Sequence, residues 1–245
     1  PEIQESWDNS GWQIKTEDKE IKRVLIALEV TNGVIDKALE IGADLIITHH
    51  PLLFNPIKSL QMGDVVSNYI VRLIGAKIDA YSAHTNFDAV FGGNNDYLGR
   101  ILGIDMVVAK DPENHGILRH GWYESPQRLG ELLSFYKCAL GLSDGEVRFV
   151  GDEKRSISKV ALCSGAGAEF IREAKEDGCE LLITGDVRYH EARIADEMGL
   201  AVVDLGHYAT EKIFPHAFFE MLIASDIDEE LFMLYDEDID PFNIL

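Results

Sequence analysis

The first clear pattern runs from Arg23 to Thr48, "RVLIALEVTNGVIDKALEIGADLIIT". A continuous apolar run opens it and another closes it, each rich in β-branched residues, as in strands buried on both faces. Between them Val34, Ile35, Ala38 and Leu39 recur at helical spacing. The segment predicts a strand, a turn, an amphipathic helix and a second strand. Sliding the sequence by 136 positions lays it without a gap on "KVALCSGAGAEFIREAKEDGCELLIT", residues 159–184. Val24, Ile35, Ala38, Glu40, Gly42, Leu45, Ile47 and Thr48 then meet identical residues, and Phe170, Ile171 and Ala174 repeat the helical face. Strand–helix–strand crossovers join parallel strands, so each copy predicts a largely parallel sheet.

The repeat continues at a changed offset. "SNYIVRLIGAKIDAYSAH" and "HEARIADEMGLAVVDLGH" each read as a helix, a glycine and a strand, and each ends on a small residue followed by His. Between the copies, roughly 104–158, lie "GWYES", a helix "PQRLGELLSFYKCALG" that its proline would open, and a strand "EVRFVG". The fold class expected is therefore α/β: two pseudo-repeated, largely parallel lobes, residues 1–103 and 104–245, the second with its repeat core from about 159. By the same offset a helix should precede residue 10, so an N-terminal helix upstream of Pro1 is expected in the native protein.

Polar residues gather where these strands end. "AHTNFDA" and "GHYATE" share one phrase, His84 with Asp88 and His207 with Glu211, each pair four residues apart. In open α/β sheets ligands bind beyond the carboxyl ends of strands, and two facing halves would bring the phrases to one site between the lobes. His49 and His50 close the apolar strand "DLIIT", where packing alone does not ask for two imidazoles, and Pro51 helps end the strand. If "HYATE" is helical, His207 and Glu211 share a face. Three imidazoles and two carboxylates exceed the needs of one tetrahedral zinc; they suit two divalent ions about 3.5–4 Å apart. The candidate ligands are thus His49, His50, Asp88, His207 and Glu211, and the donor set admits Zn, Fe, Mn, Co or Ni. His84 reads first as a partner that orients a ligand, and alternatively as a ligand or proton donor. In "TGDVRYHEA", Asp186 and His190 stand as orienting partners or proton donors, against a helix N-cap and a surface imidazole.

Composition narrows the partners. Of 245 residues 46% are hydrophobic and the net charge is −21. Such acidity argues against nucleic acid and anionic membrane surfaces. Two ions beside two carboxylates would leave a locally positive site able to hold an anion that the surface rejects. No apolar run approaches the roughly 20 residues of a membrane span. Cys138, Cys163 and Cys179 read as reduced core thiols of a cytoplasmic protein.

The phrases "WDNSGWQI", "ITHHPLLF", "AHTNFDA…GGNNDYL", "TGDVRYHEA", "GHYATE" and the final "DIDPF", in this order, resemble the NGG-one-interacting-factor-three-like family, whose members are often labelled GTP cyclohydrolase I type 2 homologues. The resemblance implies a two-lobed α/β protein with a dinuclear metal centre, its ligands falling on His49, His50, Asp88, His207 and Glu211. It also implies a ring-shaped homohexamer built as a trimer of dimers; "FPHAFFEMLI", residues 214–223, is a candidate contact whose alternative is core packing. Two functions follow. One is a two-metal hydrolase acting on a nucleotide or related small molecule, GTP if the label holds, with His84 or His190 moving the proton. The other is a non-catalytic ring for metal binding, metal delivery or protein interaction.

Overall fold

The computed structural model describes residues 1–109, 116–237 and 240–244. The first two residues of "DIDPF", Asp238 and Ile239, lie outside the described residues. In chain order the elements begin β1 (Gly11–Ile14), β2 (Val24–Ala27), α1 (Asn32–Ile41), β3 (Leu45–Thr48), α2 (Val65–Ala76), β4 (Asp79–Ser82), α3 (Thr85–Ala89) and α4 (Asn94–Ile101). Next come β5 (Met106–Ala109), β6 (Arg119–Arg128), α5 (Leu129–Ala139), β7 (Arg148–Val150), β8 (Ser156–Leu162), α6 (Ile171–Glu176) and β9 (Leu181–Thr184). The chain continues through α7 (Tyr189–Met198), β10 (Ala201–Asp204), α8 (His207–Glu211), α9 (Phe214–Ala224) and β11 (Phe232–Leu234).

The chain forms two compact units, Pro1–Phe87 with Phe214–Asp238, and Asp88–Ile213 with Ile239–Leu245. They divide elsewhere than at residue 103, for a reason of packing. Helix α4 buries Leu98, and the following Leu102 is buried with it, in the apolar cluster of the second unit. Helix α9 carries the chain back to the first unit, where Phe214 is fully buried against Phe87, ring centroids 5.3 Å apart. Core packing therefore accounts for the start of "FPHAFFEMLI".

The first unit holds a five-stranded sheet in the order β1-β4-β3-β2-β11. Its pairings are parallel except β1 with β4. Helix α1 begins at Thr31, whose side chain accepts from the Val34 amide, and ends at Gly42 in the left-handed conformation. It buries Val34, Ile35 and Ala38 but leaves Leu39 exposed. The residues before β1 form turns, not a helix.

The second unit holds six strands in the order β5-β6-β8-β9-β10-β7. The repeated strands β8, β9 and β10 are parallel, and antiparallel β6 and β7 flank them, so this sheet is mixed. Pro126 does not open α5. It lies within β6, and the helix starts at Leu129. Cys163 and Cys179 are buried as expected; Cys138 is exposed, because α5 packs through Leu129, Leu132, Leu133 and Tyr136 instead. None of the three is in a disulfide. No helix among the described residues is long and apolar enough to cross a membrane.

Candidate functional site

In the first unit β3 and β4 lie side by side, Thr48 opposite Ser82, so the residues that follow each strand are neighbours. His49 is fully buried, and its Nδ1 lies 2.9 Å from the Ala83 carbonyl oxygen. A carbonyl oxygen only accepts, so that bond places a proton on Nδ1 and fixes the direction of Nε2. His50 follows, its amide donating to the Leu28 carbonyl at 3.0 Å. His84, just past β4, completes a group in which one ligating atom from each of His49, His50 and His84 lies within 4.8 Å of the others. The structure thus sets His84 beside the paired histidines rather than behind them. Its Nδ1 lies 2.8 Å from Asp8 Oδ1. Asp8 is a residue whose role the sequence reading did not assign. It accepts four further hydrogen bonds, from the Asn9 amide, the Ser10 hydroxyl and the Thr85 amide and hydroxyl. Burial works against the Asp8 charge, but the bonds from His84 and Thr85 hold its carboxyl well below the usual range.

In the second unit β8, β9 and β10 end together. Helix α8 starts immediately after β10 and, as its spacing predicts, brings His207 and Glu211 onto one face: His207 Nε2 lies 2.9 Å from Glu211 Oε2. The other ring nitrogen, Nδ1, lies 2.8 Å from Asp186 Oδ2. Asp186 sits at φ +54° after β9, and Arg188, not Asp186, is the N-cap of α7. Asp186 therefore holds the His207 ring rather than capping the helix. Burial disfavours the His207 imidazolium, yet the bonds and charges of Glu211 and Asp186 outweigh it and push its pKa up to about 9. His190 is exposed on the first turn of α7, its ring 5.3 Å from that of Tyr189, and joins no ligating cluster among the described residues.

Glu211 is nearly buried and lies against the backbone of Gly165, in the turn after β8. A Cβ at Gly165 would stand 2.2 Å from Glu211 Oε1 and 3.3 Å from His207 Nε2. The same turn is pinned by residues of "GGNNDYL". Asn94 Nδ2 donates to the Ser164 hydroxyl at 3.1 Å, and Asn95 Oδ1 accepts the Ser164 amide at 2.7 Å. The Gly165 amide donates to Thr210 Oγ1 at 3.0 Å. Asp88, also nearly buried, and Ala89 are the second-unit residues of α3. The end of that helix is held by Arg119, which is fully buried and donates to the Ala89 carbonyl at 2.8 Å, the Val90 carbonyl at 3.1 Å and Asp96 Oδ1 at 2.7 Å. Burial pushes the Cys163 thiol well up, reinforced by the negative fields of Asp88 and Glu211, so it stays protonated beneath these carboxylates. Sequence reasoning missed Asp8, Asn94, Asn95, Gly165 and Arg119. All but Arg119 stand inside segments already singled out.

Both units fit divalent metal by the chemistry of their donors: imidazole nitrogens held by hydrogen-bonded partners, and nearly buried carboxylates. Fold and donor set define the class, an α/β protein with paired strand-end clusters of imidazole and carboxylate. The chain belongs to the Duf34/NIF3 (NGG1p interacting factor 3) family, whose model matches residues 1–238. A Clostridium perfringens protein named GTP cyclohydrolase 1 type 2 homolog is 38% identical over 213 residues, 85% of this chain and 80% of that one. A Helicobacter pylori protein named GTP cyclohydrolase 1 type 2 is 35% identical, covering 87% and 82%. Among solved structures, a Staphylococcus aureus protein superposes with a TM-score of 0.91 over 100% of this chain and 94% of its own, at 24% identity. Reduced HcgD from Methanocaldococcus jannaschii superposes at 0.81 with 31% identity, covering 96% and 92%.

Proposed function

We propose that this chain is a metal-dependent hydrolase of a nucleotide, with two divalent ions held by His49 and His50 of the first unit and Asp88, His207 and Glu211 of the second. One observation carries the reading. Two of the proposed ligand imidazoles are held at Nδ1 by an oxygen, Ala83 O for His49 and Asp186 for His207, at 2.8–2.9 Å. Metal-ligating histidines are oriented in this way, the far nitrogen bonded so that Nε2 faces the ion. Histidines that merely fill a core need no such common pattern.

The residues divide the work. Asp88 and Glu211 supply the negative charge that offsets the repulsion between two cations. Asp186 and the Ala83 carbonyl fix the rings they touch. When bound, the ions would lower the pKa of water to about 7 and polarise the substrate. His84 Nε2 would move a proton to the leaving group, with Asp8 stabilising the charged ring. The relatives named for GTP cyclohydrolase support a nucleotide substrate and, for GTP, hydrolytic opening of the imidazole part of the purine, with water consumed and formate released. The test is elemental analysis of freshly purified protein together with turnover of a nucleotide panel on the same sample. Bound divalent metal and metal-dependent nucleotide hydrolysis are expected. Protein that holds metal but turns over no nucleotide supports instead the metal-binding ring, and protein that holds none refutes the metal assignment.

A further inference from the structure

Two large aromatic rings stand exposed beside the histidines of the first unit. Trp7 is 53% exposed and Phe54 48% exposed. Their centroids lie 6.1 Å apart, and each is about as far from the His84 ring, Trp7 at 6.1 Å and Phe54 at 6.2 Å. The three rings meet edge to face, at interplanar angles of 66°, 77° and 89°. His84 is in turn 5.0 Å from His49 and 5.9 Å from His50, centroid to centroid. The aromatic group is thus continuous with the candidate ligands of its unit.

The rings are held by the backbone on either side. Trp7 precedes Asp8, which is fixed to His84, Thr85 and Ser10 by four hydrogen bonds. Phe54 follows Leu53, whose amide donates to Gln13 Oε1 at 2.9 Å and whose carbonyl accepts from Asn9 Nδ2 at 2.8 Å. A chain that only needed to cover its core would not tie down both segments and leave half of each ring in solvent. Exposed aromatic surface of this kind beside a reactive group is how proteins receive a flat ligand.

We infer that Trp7 and Phe54 form a corner that receives the planar base of a nucleotide, one ring stacking on its face and the other meeting its edge, and sets it against His84 and the paired histidines. The inference rests on the nucleotide reading above and names the part of the ligand this unit recognises. A stack of this kind is sequence-tolerant, because every base has a π-face, and it favours purines through their larger area. The negatively charged part of the ligand would then be left to the metal ions, since the corner itself carries no cation.

The test compares GMP with ribose 5-phosphate, titrated into the purified protein by calorimetry, with metal content, oligomer mass and circular dichroism recorded for every variant. GMP is expected to bind more tightly than ribose 5-phosphate. Trp7→Ala and Phe54→Ala should each weaken GMP by about 10-fold, inside the roughly 5- to 150-fold that losing a base–aromatic stack corresponds to. Trp7→Phe should keep most of the affinity, and ribose 5-phosphate should change less than about 2-fold in all three, since it has no base to stack. Equal affinity for the two probes, equal weakening of both by Trp7→Ala, or no binding of GMP to metal-loaded protein overturns the inference. So does a change in oligomer mass with GMP affinity untouched, which would make the rings a subunit contact. Failure of the metal assignment registers separately, as protein without metal that still prefers GMP through Trp7.

Discussion

Gly165→Ala asks whether the backbone turn after β8 sets the position of Glu211. Two costs follow from the structure. Gly165 has φ +64°, and placing an alanine there costs roughly 1–2 kcal/mol, partly offset by about 0.4–1 kcal/mol from a stiffer unfolded chain. The new methyl would also stand 2.2 Å from Glu211 Oε1 and 3.0 Å from its Cδ. Contact that close forces the carboxylate aside, and Glu211 is only 4% exposed, so little free space receives it. Overpacking of this kind adds about 1–3 kcal/mol. Gly141→Ala separates the two costs, since Gly141 has φ +67° in the same unit and nothing within 4 Å of its would-be Cβ. It should carry the backbone cost alone, a melting shift of about 2–4 °C per kcal/mol. Gly165→Ala should melt lower than Gly141→Ala by about the overpacking cost and should also retain less metal, measured by elemental analysis after identical dialysis. If the two variants match in both melting and metal content, Glu211 does not rest on that turn and its assignment as a positioned ligand fails.

Glu211→Gln preserves the shape of the side chain and removes its charge, so it should purify folded with less metal than the parent, and full metal content would refute the carboxylate's role as ligand. Arg119→Met strands the Asp96 carboxylate and leaves the buried carbonyls of Ala89 and Val90 without their donor, a loss expected at about 3–5 kcal/mol in urea unfolding; a loss under 1 kcal/mol would mean water replaces the guanidinium. The hydroxyls of Tyr123 and Tyr136 are hydrogen-bonded to each other in the core, and burial pushes Tyr123 up to about 12 and Tyr136 well above its usual value. The folded state therefore keeps protons that the unfolded chain gives up near pH 10, so their stability contribution is intact below pH 10 and falls as pH rises from there toward 12. The Tyr123→Phe/Tyr136→Phe double variant should flatten that decline in urea midpoints between pH 9 and 11, and an unchanged slope would refute the assignment. Light scattering should give a homohexamer, and a mass near that of one chain at micromolar concentration would refute it.

The sequence pattern made legible what depends on period and position along the chain. The strand–helix–strand repeat, the helix that opens at His207 and the place of the histidine pairs at strand ends all follow from local spacing, and the structure carries each of them. Less legible was whatever depends on partners distant in sequence. Arg119 reads as an ordinary strand residue, yet it is fully buried because carbonyls some 30 residues earlier and a carboxylate on α4 converge on it. Asp8 shows the same limit at closer range to the chemistry: its motif was quoted, but the 76 residues separating it from His84 hid its task. Pro126 was misjudged because proline suits a helix start, whereas register with β8 extends β6 through Arg128. The compact units part ahead of α4 for a related reason, since α4 looks like the end of the first copy and packs into the core of the second unit. The two units share the strand–helix–strand repeat but offer different groups at matching strand ends: imidazoles after β3 in one, an aspartate at φ +54° after β9 in the other. A backbone angle that disfavours most side chains stands at Asp186 where its carboxylate meets His207, and such strain persists only where the surrounding structure holds it in place. That is why geometry decides between cap and partner for Asp186, where sequence spacing alone left the choice open: its carboxylate meets the His207 ring, and Arg188 caps α7.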